Sequence, residues 1–435
     1  MDVLRHCFPP SVRRTLDELP ESLGETYERV LKEIKKPNRE HARRLLQCLV
    51  VAVRPLRLEE LSELIAFDFN DVEEIPKLNP RWRWEDQEQA LLSSCSSLIA
   101  IVDANDTRVV QFSHFSVKEF LTSPRLHTSS GDISYYHIDL ELAHTTFARA
   151  CLGILLQLDS NDEESSVWQS FPLVEYAAEH WVFHAQYKHV STHLRKGTED
   201  LFDLAKPHFS AWLQLHDMDT RPHAGSNFYI FYSDPKSPTF PLYYAALCGF
   251  HDLAKDLISK CPSQVNASGG FYLGPLVAAL AGKHFRTADL LRLSGAHPDV
   301  RGYDLRTPLH GVAYHGDLEI LHKLIEYNAD LDAVDADGYT PLCEASVSSH
   351  PNSINAVRLF LEHGVDVNVR TNRGSTALHS ASAHGFLEKV RMLLEHGANV
   401  EVENNRGETA HQLALAGGHH EIMKLLTEYG PKGTS

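Results

Sequence analysis

The stretch Arg306-Thr307-Pro308-Leu309-His310 returns in altered form throughout the C-terminal half of this chain. Its proline, or an alanine in the same place, recurs in register at Pro241, Pro275, Pro308, Pro341, Ala377 and Ala410. A fixed period of about 33 residues indicates a repeat protein, in which each copy folds into the same small unit and stacks on its neighbours.

The residues of one copy predict two helices followed by a hairpin. Thr307 is a typical N-cap residue, and Pro308 suits the first helical position, where a missing N–H costs nothing. Gly316 ends this helix, and apolar residues at helical spacing predict a second helix that closes at Asn328. Asp337-Gly338 then predicts the tight turn of an outward hairpin.

A period of this length that carries Thr-Pro-Leu-His resembles ankyrin repeats. The resemblance covers residues 236–430 and gives about six repeats, of which the first two lose the histidine. The fourth repeat has three extra residues near positions 348–354, where we expect a longer loop between its helices. The resemblance implies a solenoid whose surface holds other proteins and carries no chemistry of its own.

Residues 1–130 show a second pattern. Apolar residues at helical spacing predict helices over residues 41–53 and 57–67, joined by a short turn at Arg54-Pro55. Two β-rich runs, 98–102 and 109–112, flank a turn and predict a hairpin, and a helix follows over residues 115–121. Helices followed by a hairpin predict a winged helix.

Four segments carry a more specific resemblance. They are residues 19–27 (Leu-Pro-Glu-Ser-Leu-Gly-Glu-Thr-Tyr), 54–61 (Arg-Pro-Leu-Arg-Leu-Glu-Glu-Leu), 112–121 (Phe-Ser-His-Phe-Ser-Val-Lys-Glu-Phe-Leu) and 172–184, with its Tyr-Ala-Ala-Glu-His-Trp core. Together they resemble fungal NACHT–ankyrin proteins of the STAND/NLR type, whose winged helix is named after that of GPI inositol-deacylase. Such proteins are signal-transduction NTPases with a winged helix and a repeat sensor.

The sequence departs from that family because it contains no GxxxxGK[ST] phosphate-binding loop. We therefore expect a family member that lacks its NTPase domain. The alternatives are a truncated member, an incomplete gene model, and a relic that kept only the winged helix and the sensor. We expect the purified chain neither to bind nor to hydrolyse ATP or GTP.

The expected architecture is mostly α. It comprises a helical remnant over residues 1–36, a winged-helix domain over 37–128, a helical linker region over 129–235, ankyrin repeats over 236–430 and a tail over 431–435.

Composition narrows the function classes. The chain is acidic, with a net charge of −17, so it repels nucleic acid at long range, and we expect no nucleic-acid partner. We expect no membrane partner, because no apolar run approaches the length of a span. The seven cysteines form no CxxC pair, which suits reduced thiols and a cytoplasmic location, with the nucleus as the alternative. The sequence predicts no catalytic residues, no cofactor and no metal site.

His114 follows the last predicted strand. The family resemblance implies a nucleotide-sensing histidine at this place, which would require a NACHT domain supplied in trans. The alternative is a histidine that anchors the strand-to-helix turn by hydrogen bonding.

Two function classes follow from the sequence. The first, and favoured, is a non-enzymatic interaction protein that binds an unidentified protein through the concave side of its repeats. The second is a winged-helix DNA-binding regulator, but its helix over residues 57–67 carries Glu59, Glu60 and Glu63, which repel phosphate. By resemblance to other ankyrin proteins, the contact residues of the first class are Tyr303, Asp304, Arg306, Tyr314, His315, Asp337, Tyr339, Asn372, Arg373, His384, Asn405, Arg406 and Glu408.

Overall fold

A computed structural model describes residues 23–69, 71, 74–104, 107–129, 132–159, 164–219, 240–302 and 304–430. The chain divides into two compact units between Met218 and Asp219. The prediction of a mostly helical protein, with a winged helix first and ankyrin repeats last, is confirmed. The expectations for residues 1–22, 220–239 and 431–435 lie outside the described residues.

The helices and strands of the N-terminal unit follow one another along the described ranges. The helices are α1 (Leu23–Glu33), α2 (Arg39–Val51), α3 (Leu58–Glu63), α4 (Gln87–Cys95), α5 (Phe115–Leu121), α6 (Pro124–Thr128), α7 (Leu140–Leu155), α8 (Glu164–Ser170), α9 (Val174–Ala185), α10 (Val190–His193), α11 (Arg195–Leu201) and α12 (His208–Leu215). The strands are β1 (Leu56–Arg57), β2 (Phe67–Asp68), β3 (Lys77–Leu78), β4 (Ile99–Ala104) and β5 (Thr107–Phe112).

The wing is a three-stranded antiparallel sheet in the order β1-β5-β4. The predicted hairpin is present as β4 and β5. It pairs Ile99 with Phe112 and Ala104 with Thr107, so both strands extend further towards the turn than expected. The third strand was missed, because Arg57 was expected to begin a helix and instead pairs with Val109.

The predicted helix over residues 57–67 is also shorter than expected. Helix α3 occupies only Leu58–Glu63, a 3₁₀ turn follows at Leu64–Ala66, and Phe67 opens β2. Because a short apolar run fits either a helix or a strand, its periodicity could not locate these ends.

The helices after the winged helix belong to the same compact unit. Helix α7 packs against both α2 and α9, and most of its residues are buried. On α9, Trp181 is fully buried and meets Trp212 of α12 edge-on, with ring centroids 5.5 Å apart. The described residues of the helical linker region up to Met218 therefore belong to a folded unit.

The described residues of the C-terminal unit form the six pairs of helices that the repeat period predicted. The inner helices are α13 (Pro241–Leu247), α15 (Pro275–Ala281), α17 (Pro308–His315), α19 (Pro341–Val347), α21 (Ala377–Ala383) and α23 (Ala410–Ala416). The outer helices are α14 (His251–Lys260), α16 (Phe285–Leu293), α18 (Leu318–Glu326), α20 (Ser353–Glu362), α22 (Leu387–Glu395) and α24 (His420–Tyr429).

Local chemistry sets the ends of these helices. Thr307 and His310 form a capping box at the start of α17, in which the backbone N–H of Thr307 donates to His310 Nδ1 over 3.1 Å. His310 Nε2 then donates to the carbonyl of Tyr339 in the next repeat, at 2.9 Å. Gly316 and Asn328 take the left-handed conformation at the two helix ends, as predicted. The Thr-Pro-Leu-His motif therefore caps its own helix and braces the following repeat.

A continuous apolar core runs through the stack. Leu309, Leu324, Leu378 and Leu393 are fully buried. No described helix is long and apolar enough to cross a membrane.

Candidate interaction surface

Each of the last four repeats begins at a hairpin of the same construction. Within a hairpin, a backbone N–H at the base donates to the carbonyl four residues later, at distances of 2.8–3.0 Å. The bonded pairs are Gly302–Arg306, Asp335–Tyr339, Thr371–Ser375 and Asn404–Glu408. Side-chain oxygens of Asp335, Thr371 and Asn404 also accept backbone N–H groups of their own hairpins, which fixes three of the tips locally.

Successive tips are joined to one another. The N–H of Ala336 donates to the carbonyl of Asp304 at 2.8 Å. The N–H of Asn372 likewise donates to Asp337 at 2.8 Å, and that of Asn405 to Arg373 at 2.9 Å. The amide side chains of Asn372 and Asn405 each donate to a carbonyl of the preceding tip, both at 2.8 Å. The four tips therefore form one hydrogen-bonded row.

Two glycines permit this close stacking. Gly338 has φ +79°, and a Cβ there would lie 2.8 Å from the nitrogen of Asn372. Gly374 has φ +74°, and a Cβ there would lie 2.4 Å from Oδ1 of Asn405. Each position thus needs glycine both for its left-handed backbone and for the approach of the next tip.

We call the row formed by Asp304, Ala336-Asp337, Asn372-Arg373 and Asn405-Arg406 the tip ridge. Its four charged side chains, those of Asp304, Asp337, Arg373 and Arg406, are all exposed. Within the described ranges, none of the four takes part in an ion pair. The backbone of the ridge is therefore used for stacking, whereas its charged groups remain available.

Two of the predicted contact residues are engaged inside the stack. Arg306 is largely buried and forms ion pairs with Asp335 and Glu344, so its guanidinium connects two repeats. Tyr339 is half-buried, which raises the pKa of its phenol, and its carbonyl receives the hydrogen bond from His310. The repeat pattern alone did not reveal this engagement.

The remaining predicted residues lie near the ridge or on the inner helices. His384 is exposed, bonds the carbonyl of Ser380 and stacks on Phe386 with an interplanar angle of 11°. Glu408 accepts a hydrogen bond from the side chain of Asn404 at 3.0 Å. Tyr314 and His315 are half-buried at the end of α17, and Tyr303 lies outside the described residues.

His114 is the N-cap residue of α5. Its Nδ1 accepts the backbone N–H of Ser116 at 3.3 Å and lies 2.7 Å from the hydroxyl of the same serine. The Ser116 hydroxyl in turn bonds Tyr27 of α1 at 2.8 Å. His114 therefore makes hydrogen bonds that anchor the strand-to-helix turn, and nucleotide sensing stays a prediction.

Helix α3, which DNA binding would require, faces the protein interior. All six of its residues are described, and only Glu59 is exposed. Glu60 is held by Arg54 and Arg57, and Glu63 by Arg83. Two of the three carboxylates that the sequence suggested would repel DNA are thus internal ion-pair partners, and a buried helix cannot enter a groove.

A polar chain links the end of α2 with α9 and α7. The N–H of Val53 donates to the Tyr176 hydroxyl at 3.0 Å, and that hydroxyl lies 2.9 Å from Nε2 of His184. Nδ1 of His184 lies 2.9 Å from Nδ1 of His144. At least one of the two rings must be neutral, because two N–H groups cannot face each other in this contact. Helix α9, which carries the Tyr-Ala-Ala-Glu-His-Trp motif, is therefore attached to the winged helix through these hydrogen bonds.

Lys389 is a buried amine that the sequence did not single out. Its Nζ donates to the carbonyls of Ala345 and Ser348 at 2.7 and 2.6 Å and to the hydroxyl of Ser353 at 2.8 Å. Those acceptors flank the longer loop of the fourth repeat. The equivalent third position of four other outer helices holds a buried residue without a charge: Leu253, Thr287, Ile320 and Ile422.

The described residues contain no group of three or more His, Cys, Asp or Glu side chains arranged to hold a metal ion. The tip ridge places exposed side chains of both charges on a hydrogen-bonded backbone, which suits recognition of another macromolecule.

Two family models match the chain. The model of ankyrin repeats, in three copies, matches residues 276–371 and 350–435. The model of the GPI inositol-deacylase winged helix domain matches residues 27–131.

Several curated proteins are similar to parts of the chain. The azaphilone pigments biosynthesis cluster protein L of Monascus ruber is 28% identical over 298 residues, which cover 65% of this chain and 61% of that protein. The B-cell lymphoma 3 protein homolog of Mus musculus is 44% identical over 90 residues, or 20% of this chain and 19% of that protein. The ankyrin repeat protein nuc-2 of Neurospora crassa is 29% identical over 182 residues, or 34% of this chain and 17% of that protein.

The chain thus spans less than two thirds of the length of each of these relatives. It contains a winged-helix domain of the GPI inositol-deacylase type followed by ankyrin repeats, and ankyrin repeats support a role in protein–protein interaction.

Proposed function

We propose that this chain is a non-enzymatic interaction protein that binds a protein partner through the tip ridge. The observation that carries the proposal is the ridge itself, where the charged side chains of Asp337, Arg373 and Arg406 are exposed while the backbone is held repeat to repeat. A preorganised surface loses little conformational entropy on binding, and arginine is enriched among residues that anchor interfaces.

The proposal extends to the role of the whole chain. The order of a winged helix followed by ankyrin repeats supports a sensor or scaffold half of a NACHT-type signalling protein, with a NACHT domain in trans as one partner. We place this role in the cytoplasm, with the nucleus as the alternative, because the spacing of the cysteines suits reduced thiols.

The test compares proteins captured from a lysate of the source cells by three forms of the full chain. They are the wild type, the ridge variant Arg373→Glu/Arg406→Glu, and a control variant Arg358→Glu/Arg391→Glu. Arg358 and Arg391 are exposed on the outer helices α20 and α22, so the control changes the net charge equally without touching the ridge.

We expect the wild type and the control to capture the same proteins and the ridge variant to lose them. A ridge variant that is folded and captures all that the wild type captures would place the binding site elsewhere.

A further inference from the structure

The charges of the tip ridge have a simple order. Asp304, Asp337, Arg373 and Arg406 hold equivalent places in four successive tips, because each of the first three presents its carbonyl to the N–H of the following tip. The order along the stack is therefore negative, negative, positive, positive. All four side chains are exposed and without ion-pair partners among the described residues.

This order of charges is self-complementary: a second copy of the ridge, rotated by 180°, presents opposite charges to the first. A two-fold axis between the second and third tips sets Asp304 of one ridge opposite Arg406 of another, and Asp337 opposite Arg373. The same rotation repeats both pairs, so two copies form four pairs of opposite charge. This is the condition for an isologous contact, in which the same surface serves on both partners.

Neighbouring arginines are bonded within the stack of hairpins. Arg301 donates to the carbonyls of Leu305 and Val334, and Arg370 to the carbonyl of Glu403. Arg306 is engaged in its internal ion pairs. None of these guanidinium groups forms an ion pair with Asp304 or Asp337 within the described residues, so both carboxylates remain available to another molecule.

We infer that the tip ridge binds a second copy of this chain in antiparallel orientation. This inference rests on the proposed function, since it names the partner of the same ridge. Complementary charge chiefly sets orientation and partner choice, and exposed ion pairs are individually weak. The contact is therefore a weak and concentration-dependent dimer.

The experiment uses two full-length variants with uniform ridges. Arg373→Glu/Arg406→Glu makes the ridge wholly acidic, and Asp304→Arg/Asp337→Arg makes it wholly basic. Their oligomeric states are measured by sedimentation velocity over a range of concentrations, alone and as an equimolar mixture. The mixed pair carries the same total charge as two wild-type chains, so the overall net charge of −17 per chain does not bias that comparison.

We expect the wild type to dimerise, each variant alone to associate at least about tenfold more weakly, and the mixture to recover the wild-type affinity. Two controls, Arg358→Glu/Arg391→Glu and Glu362→Arg/Glu395→Arg, change outer-helix charges by the same amounts and should dimerise as the wild type does. Recovery in the mixture cannot arise from misfolded variants.

A wild type that stays monomeric, or uniform variants that associate as strongly as the wild type, would overturn the inference. A different result decides the proposed function, which is that the ridge binds a protein partner. If the wild type is monomeric yet captures another protein that the acidic-ridge variant loses, the ridge is an interaction surface for that protein and not for a second copy.

Discussion

Lys389 shows how a single side chain accommodates an irregular repeat. Beside the longer loop of the fourth repeat, its ammonium satisfies the carbonyls of Ala345 and Ser348 together with the hydroxyl of Ser353. Burial lowers the pKa of this amine to about 8, so the protein retains a charge there at a cost in desolvation. The three hydrogen bonds offset that cost.

We predict that Lys389→Met destabilises the repeats by about 2–4 kcal/mol, because buried acceptors would be left without donors. Urea unfolding measures the change. Lys424→Met is the matched control, since Lys424 is exposed on the next outer helix, and it should change stability by less than about 0.5 kcal/mol. Equal midpoints for the two variants would show that the buried amine does not stabilise the loop.

The His144–His184 pair predicts an acid-sensitive N-terminal unit. Burial lowers the pKa to about 4 for His144 and, with a smaller effect of the neighbouring imidazoles, to about 3 for His184. In the unfolded chain both titrate near their ordinary pKa of about 6.5, so below that pH the unfolded state binds more protons. The stability is fully present above about pH 6.5 and falls as the pH drops towards about 4.

Urea midpoints of the N-terminal unit between about pH 7 and pH 4.5 test this dependence. We expect a loss of roughly 1–3 kcal/mol for the wild type and a shallower decline for His144→Gln/His184→Gln, which cannot take up protons there. The same slope in both proteins would mean that other groups govern the acid response.

At the scale of elements, the helices of each repeat depend on a shared core. Leu378 of α21 is fully buried. We predict that Leu378→Ala lowers the free energy of unfolding by about 2–5 kcal/mol, as buried leucine truncations do. Leu415→Ala is the control, because Leu415 of α23 is 54% exposed and its truncation leaves no cavity. An unchanged thermal midpoint for Leu378→Ala would contradict the assigned repeat register.

The repeats could be predicted because their signals are local. Capping by Thr307, the left-handed Asn328 and the turn at Gly338 each act within a few residues, so the sequence displays them directly. The loop in the fourth repeat was likewise visible from the lengthened interval. The row of tips followed from stacking, although the asparagine bonds that join the tips were not foreseen.

The sequence did not predict the features that depend on contacts between residues far apart in the chain. Strand β1 forms only because β5, which lies far along the chain, supplies its hydrogen bonds. The imidazole partner of His184 is His144 on α7, a different helix. Arg306 was expected to be a surface contact residue, but its ion pair with Glu344 of the next repeat holds it within the stack. In each case the deciding partner is distant in sequence.

At the scale of the whole molecule, both units hold polar groups in their interiors, as Arg306 and Lys389 do in the C-terminal unit. The N-terminal unit buries ion pairs such as Arg54–Glu60 and the polar chain that ends at His144 to hold its helices together. The C-terminal unit stacks on a continuous apolar core and leaves the charges of its tips in solvent. The exposed charges of the tip ridge support recognition by the second unit.

The measurement that tests the central claim most directly is the affinity of a captured partner, or of a second copy of the chain, for the variant Tyr339→Ala/Arg373→Ala. Tyr339 lies at the base of the hairpin that carries Asp337, and Arg373 belongs to the ridge. Loss of both side chains should weaken binding at least about tenfold. Circular dichroism and the unfolding midpoint establish that the variant is folded. We predict weaker binding by the folded variant, whereas unchanged affinity would contradict binding at the tip ridge.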